Sequence, residues 1–223
     1  MTATIQTLIQ AVEAADSKPR MVEAVRHLAS TQSPDSIPTL IQVLGYNNPG
    51  AAVAAVDGLV RLGDVAVRPL LDELDGYNYG ARAWAIRALS EIAHPDGLEI
   101  LLAAAQSDFA LSVRRAAARG LGRLRWQVLP TDEREAAQEK ALETLLTASQ
   151  DMEWVVRYAA IVGLQALAGA IASGRDEWRS QIRTCFEELI NTDDTLVVRS
   201  RALWGLQCLK SAVWSTQALK SVE

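Results

Sequence analysis

The stretch "LSVRRAAARGL", Leu111 to Leu121, decides the fold, because the chain contains it several times over. Aligned on the closing small residue and leucine, "NPGAAVAAVDGL" ends at Leu59, "YGARAWAIRAL" at Leu89, "EWVVRYAAIVGL" at Leu164 and "TLVVRSRALWGL" at Leu206. The leucines are spaced by 30, 32, 43 and 42 residues. A weaker copy, "MVEAVRHL", ends at Leu28, 31 residues before Leu59. Between the copies lie other amphipathic helical stretches: "SIPTLIQVLG" from Ser36, "AVRPLLDELD" from Ala66, "GLEILLAAAQ" from Gly97, "EREAAQEKALETLLTAS" from Glu133 and "EWRSQIRTCFEELI" from Glu177. The unit is therefore two helices and a turn. Repetition at roughly 30 to 45 residues marks an α-solenoid of the HEAT type. The expectation is an all-α chain, a right-handed superhelix of two-helix repeats. It would form one domain over residues 1–223, with about five full repeats and a partial leader.

Each unit explains its own residues. Alanine on successive turns lets the second helix approach its neighbours closely, and the small residues before each final leucine (Gly58, Ala88, Gly120, Gly163, Gly205) extend that face. Seven residues before the leucine stand Arg82, Arg114, Arg157 and Arg199. Asp108, Asp151 and Asp193 precede three of them by six residues, and Asp75 precedes Arg82 by seven. Such an aspartate can satisfy free N–H groups at the helix start. The arginine can pair with that aspartate or with its counterpart in the adjacent repeat. These four arginines read as a ladder stapling repeats together. It starts at the second full repeat, since the first has Ala52 in the arginine's place.

The remaining second-helix residues suggest a surface. One, two and five positions after the ladder residue stand Asp57, Trp84, Arg87, Arg115, Arg119, Tyr158, Arg201 and Trp204. Second helices of a HEAT solenoid line its concave side, so flat and guanidinium side chains would alternate along a groove. The 22 basic residues divide into 18 Arg and 4 Lys. Arg carries a rigid fork of donors that fits carboxylates and stacks on planar systems. The turns "GYNNPGA" (Gly45 to Ala51) and "GYNYGA" (Gly76 to Ala81) also match. Asn and Gly suit tight turns, while Tyr46, Tyr77 and Tyr79 are expensive residues for turns alone and point to a rim or a partner.

Other classes recede. A net charge of -5 opposes general nucleic-acid binding, which needs a positive field. The chain has no phosphate loop, GxSxG, HExxH or CxxC. His27 and His94 have no ligand spacing, so no metal site is expected, and Cys185 and Cys208 read as small core residues. No apolar run is long enough for a membrane span, and the N-terminus lacks a basic leader. A cytoplasmic protein is expected.

The strings "IPTLIQVLGYNNPGAAVAAVDGL" (Ile37 to Leu59), "LDGYNYGARAWAIRAL" (Leu74 to Leu89), "DFALSVRRAAARGLGRLRW" (Asp108 to Trp126) and "WVVRYAAIVGLQAL" (Trp154 to Leu167) carry a resemblance. The chain resembles the HEAT-repeat phycobilin lyases of cyanobacteria, and within them the beta-subunit branch. The resemblance implies an enzyme that joins phycocyanobilin, an open-chain tetrapyrrole, to a cysteine of the apo-phycocyanin alpha chain. The thiol adds to the ethylidene group of ring A and a thioether results. Phycocyanobilin would be the substrate, with no tightly bound cofactor, and a related HEAT-repeat alpha subunit would complete a heterodimer. The bilin's propionates would meet Arg87, Arg115 and Arg119, and its pyrrole faces Trp84 and Tyr158. Asp57 would serve as the catalytic carboxylate, accepting pyrrole N–H groups or keeping the bilin protonated. A partner is expected independently, because the last helix, "ALWGLQCLKSAVWSTQAL" (Ala202 to Leu219), is apolar for a terminal repeat. Two alternatives use the same groove: a non-catalytic protein-binding scaffold, and a HEAT-like DNA glycosylase reading DNA with "RRAAARGLGRLR" (Arg114 to Arg125).

Overall fold

The computed structural model describes the backbone of residues 4–74, 79–172 and 175–220, with side chains throughout those ranges except at 79 and 211–220. It is 82% helical, with no strand among the described residues. The chain divides into two compact units, residues 1–97 and 98–223.

The first unit holds three helix pairs: α1 (Ile5–Glu13) with α2 (Lys18–Ser30), α3 (Ile37–Leu44) with α4 (Pro49–Leu62), and α5 (Val67–Glu73) with α6 (Tyr79–Ile92). The segment read as a partial leader thus carries a first-type helix of its own, α1, packed on α2. Along the unit, α4 packs on both α2 and α6. The start of α4 shows why the first GYN turn has its sequence. Asn48 accepts a hydrogen bond from the Ala51 N–H (3.2 Å), Pro49 takes the first helical position, and Asn48 also donates to the Lys18 carbonyl (3.1 Å). The turn therefore caps its helix and ties it to the preceding repeat. Its Tyr46 is half-buried. Asp75 and Tyr77 of the second GYN turn lie outside the described residues, as does the side chain of Tyr79.

The second unit also holds three pairs: α7 (Leu98–Ser107) with α8 (Leu111–Leu121), α9 (Thr131–Ala148) with α10 (Trp154–Ala170), and α11 (Asp176–Thr192) with α12 (Leu196–Lys220). Here α10 packs on both α8 and α12. The approach of α8 to α10 is so close that their backbones touch at glycines. A Cβ on Gly163 would lie 2.5 Å from the Ala118 carbonyl oxygen, and one on Gly122 would overlap the carbonyl of Gly163. In α12 the inner face is buried at Val198, Ala202 and Leu206, while Trp204 is 56% exposed. Val213 and Trp214, which belong to the apolar last stretch of the sequence, lie outside the described side chains.

The arginine ladder is present in the second unit. The Arg114 side chain donates to both carboxylate oxygens of Asp151 (Nε 2.7 Å, Nη2 3.1 Å) and, through Nη1, to the Asp108 carbonyl (2.8 Å). Arg157 repeats this on both oxygens of Asp193 (2.7 and 3.0 Å) and on the Asp151 carbonyl (2.9 Å). Each arginine thus pairs with the aspartate of the next repeat and holds its own repeat by the backbone. Arg199 stands at the last rung and, among the described residues, keeps the backbone contact alone, to the Asp193 carbonyl (3.2 Å). The aspartates do not reach the second or third N–H of their helices. Asp108, Asp151 and Asp193 accept instead from the N–H two residues on, at Ala110, Glu153 and Thr195, as Asx turns leading into the helix. Burial raises the carboxyl pKa of Asp151 and Asp193. The hydrogen bonds and charge of Arg114 and Arg157 outweigh it, leaving both below the ordinary value.

Two further arginines are staples that the repeat pattern does not announce. Near the start of α9, Arg134 donates to the carbonyls of Trp126 and Leu129 (2.9 and 3.0 Å), and near the start of α11 Arg179 donates to those of Ile171 and Ala172. In each case a guanidinium satisfies backbone oxygens of the incoming loop, groups that are costly to leave unpaired.

Candidate functional site

The proposed stripe divides between the two units. In the first, Asp57 on α4 is exposed, and Trp84 and Arg87 on α6 are half-buried. Arg87 lies 5.6 Å from the Trp84 ring centroid, within cation–π range. It also donates through Nε to Glu91 one turn on (3.0 Å), so an acidic neighbour already meets its charge. Spacing of i, i+4 made that pair readable from sequence.

In the second unit the stripe is more concentrated. A groove of about 300 Å³ is lined by Arg119, Arg123, Val162, Gln165, Ala166 and Arg201, residues of α8 and the turn after it, of α10 and of α12. Arg119 and Val162 stand at the equivalent stripe position of consecutive repeats, which is why one face of successive second helices makes one groove. Arg115 and Arg119 are exposed. Tyr158 and Trp204 flank Arg201, whose guanidinium carbon lies 5.9 and 4.6 Å from their ring centroids. Arg201 is only 7% exposed. Its Nη2 donates to Gln165 (2.6 Å), while its buried Nη1 has no partner among the described residues. Burial holds its pKa below the ordinary arginine value. The structure thus brings Arg119 and Tyr158 together around Arg201 and adds Arg123, which the stripe omitted. Arg115 does not line that groove. Chemically the groove offers a carboxylate-fitting positive charge beside two aromatic faces.

His94 and Cys185 have structural roles. His94 accepts from the Asp96 N–H (3.2 Å), as a turn residue. Cys185 is buried and donates to Ser149 (3.3 Å), and burial pushes its thiol pKa up, away from thiolate chemistry. It borders a surface hollow of about 490 Å³ beside α9 and α11, which contains none of the stripe residues. Among the described residues, no helix is long and apolar enough to cross a membrane.

The HEAT-repeat family profile matches residues 5–75 and 67–165. The phycocyanobilin lyase subunit beta of Pseudanabaena tenuis is 53% identical over 222 residues, 99% of this chain and 78% of that one. The chain belongs to the HEAT-repeat phycobilin lyase family. Another family member, the phycocyanin alpha phycocyanobilin lyase CpcF of Synechocystis sp., is 51% identical over 207 residues, 93% of this chain and 95% of that one. Among solved structures, the complex of CpcE and CpcF of phycocyanin lyase from Nostoc sp. contains a chain with 51% identity and a TM-score of 0.72. That match covers 78% of this chain and 99% of that one. A designed armadillo repeat protein, 16% identical with a TM-score of 0.57, shares the helical-repeat fold alone.

Proposed function

We propose that this chain is the beta-type subunit of a heterodimeric phycocyanobilin lyase. With a related HEAT-repeat alpha subunit it attaches phycocyanobilin to a cysteine of the phycocyanin alpha chain. The observation that carries this is the 51% identity and TM-score of 0.72 to a chain of the CpcE–CpcF complex. In the reaction, the S–H of the acceptor cysteine adds across the ethylidene double bond of ring A. A carbon–sulfur bond forms, the proton goes to the bilin and nothing leaves. The task of the lyase is then to hold the ring-A carbon against the incoming thiol, since orientation alone can supply much of such a rate.

The residue roles belong to the same proposal. In the second unit Arg115 and Arg119 meet bilin propionates and Tyr158 covers a pyrrole face; in the first, Arg87, paired with Glu91, and Trp84 offer contacts of the same two kinds. Asp57, exposed on α4, accepts pyrrole N–H groups. Phycocyanobilin is the substrate and no tightly bound cofactor takes part; the site of action is cytoplasmic. Residues 1–223 are one run of HEAT repeats in sequence, a reading supported by the family match over residues 67–165, which is continuous past Gly97.

Reconstitution tests the function. Purified chain, a CpcE-type alpha subunit, apo-phycocyanin alpha chain and phycocyanobilin should yield an adduct that survives denaturation and is one bilin heavier by mass spectrometry. Omitting this chain should abolish it. An adduct formed at the same rate without this chain would remove the proposal.

A further inference from the structure

Arg201 is the anomaly of the second unit. The other strongly held arginines there are matched: Arg114 and Arg157 by aspartates, Arg134 and Arg179 by loop carbonyls. Arg201 is 7% exposed, has one amide oxygen as its hydrogen-bond partner and buries Nη1 unpartnered. Around it the groove adds Arg119 and Arg123; among the described residues neither is in an ion pair and no Asp or Glu lines the groove. Three guanidiniums therefore converge, without a counter-charge, in a chain whose net charge is -5. A buried cation without a counter-charge is costly, and with the two exposed guanidiniums of Arg119 and Arg123 beside it the groove is a receptor for an anion. The aromatic rings of Tyr158 and Trp204 at 5.9 and 4.6 Å narrow the class to an anion attached to a flat, apolar body.

We propose that Arg201, with Arg119 and Arg123, forms a carboxylate subsite that anchors a propionate of a linear tetrapyrrole in the groove of the second unit. This rests on the lyase reading and specifies it: the anchoring charge is the buried Arg201 of α12, Arg119 and Arg123 attract and align, and Gln165 fixes the guanidinium plane. The guanidinium has donor capacity to spare, since Nη1 has no partner among the described residues. A charge-assisted contact of this kind is worth about 1.5–3 kcal/mol, or roughly ten- to a hundredfold in affinity.

The probes are phycocyanobilin and its dimethyl ester, which keeps the conjugated body and removes both charges. Each is titrated by absorbance into the full chain and into Arg201→Gln, Arg119→Gln and Arg123→Gln. The free acid should bind the unaltered chain at least tenfold more tightly than the ester. Arg201→Gln should cut that preference the most, with little change in ester affinity, and the two exposed variants should each reduce it. Should Arg201→Gln fail to fold, the double variant Arg119→Gln/Arg123→Gln decides, because both side chains lie at the surface. Equal binding of acid and ester, an acid preference untouched in the variants, or no binding of either probe would each overturn the subsite. So would variants that lose only apo-phycocyanin alpha binding in the absence of bilin. The reconstituted transfer reaction is measured alongside: if it persists when the subsite fails, the lyase reading stands and only the anchor is wrong.

Discussion

Gly122→Ala is expected to destabilise the chain by about 3 kcal/mol or more, although Ala suits the local backbone better. At φ -71 and ψ -17 the residue is in the right-handed helical region, where replacing Gly gains up to about 1 kcal/mol on propensity alone. The new Cβ, however, would overlap the Gly163 carbonyl of α10. The obstacle is backbone rather than a movable side chain, so α8 and α10 must separate, and overpacking of this kind costs about 1–3 kcal/mol or more. Repulsion wins over propensity. For a domain of this size roughly 2–4 °C accompany each kcal/mol, so the melting midpoint should fall by about 10 °C. Gly169→Ala is the control. A Cβ there meets nothing within 4 Å, so the same exchange on α10 should be neutral or slightly stabilising. Thermal melts followed by circular dichroism compare the two, and equal midpoints would refute the close approach.

Arg157→Ala should cost about 3–5 kcal/mol. It removes a guanidinium that holds both oxygens of Asp193, and the Asp193 side chain, only 2% exposed, would remain as a buried charge without its counter-ion, keeping the Thr195 N–H as a donor. Arg199→Ala, at the last rung, loses a single carbonyl contact and should cost much less. The pH dependence carries a definite sign. The folded-state pKa of Asp193 is depressed, so the rung contributes fully above the unfolded value of about 3.9 and is lost as pH falls through the folded value. The gap in midpoint between Arg157→Ala and the unaltered chain should therefore be constant near neutrality and narrow below about pH 4. A gap independent of pH into that range would mean that the rung is not electrostatic.

The ladder was readable because it recurs: six-residue spacing between Asp and Arg appears in three repeats, and identical stacking demands identical pairs. Its direction was not readable. Whether Arg157 meets Asp151 or Asp193 depends on the offset between repeats, which no local pattern encodes. Gly122 escaped notice for the same reason, since its importance lies in the distance to α10. Arg134 and Arg179 occur on first-type helices, outside the aligned segment, and their targets are carbonyls, which every residue has. Arg201 and Trp204 fell on the stripe by spacing. That one would be buried and the other exposed followed from the packing of α12 on α10 alone. The pairing of Arg87 with Glu91, by contrast, was open to inspection in the sequence and lowers the weight that Arg87 carries as a clamp.

Under the proposed function arginine does two jobs in this chain, stapling repeats and holding ligand. The most direct test is the rate of bilin transfer to apo-phycocyanin alpha chain, with the alpha subunit present, below the melting midpoint of every variant. Arg119→Gln should keep its midpoint and lose about tenfold or more in rate at limiting phycocyanobilin. Arg157→Ala should melt earlier yet transfer bilin at nearly the unaltered rate while folded. If both variants slow transfer equally, or Arg119→Gln transfers normally, the division between staple and groove is contradicted.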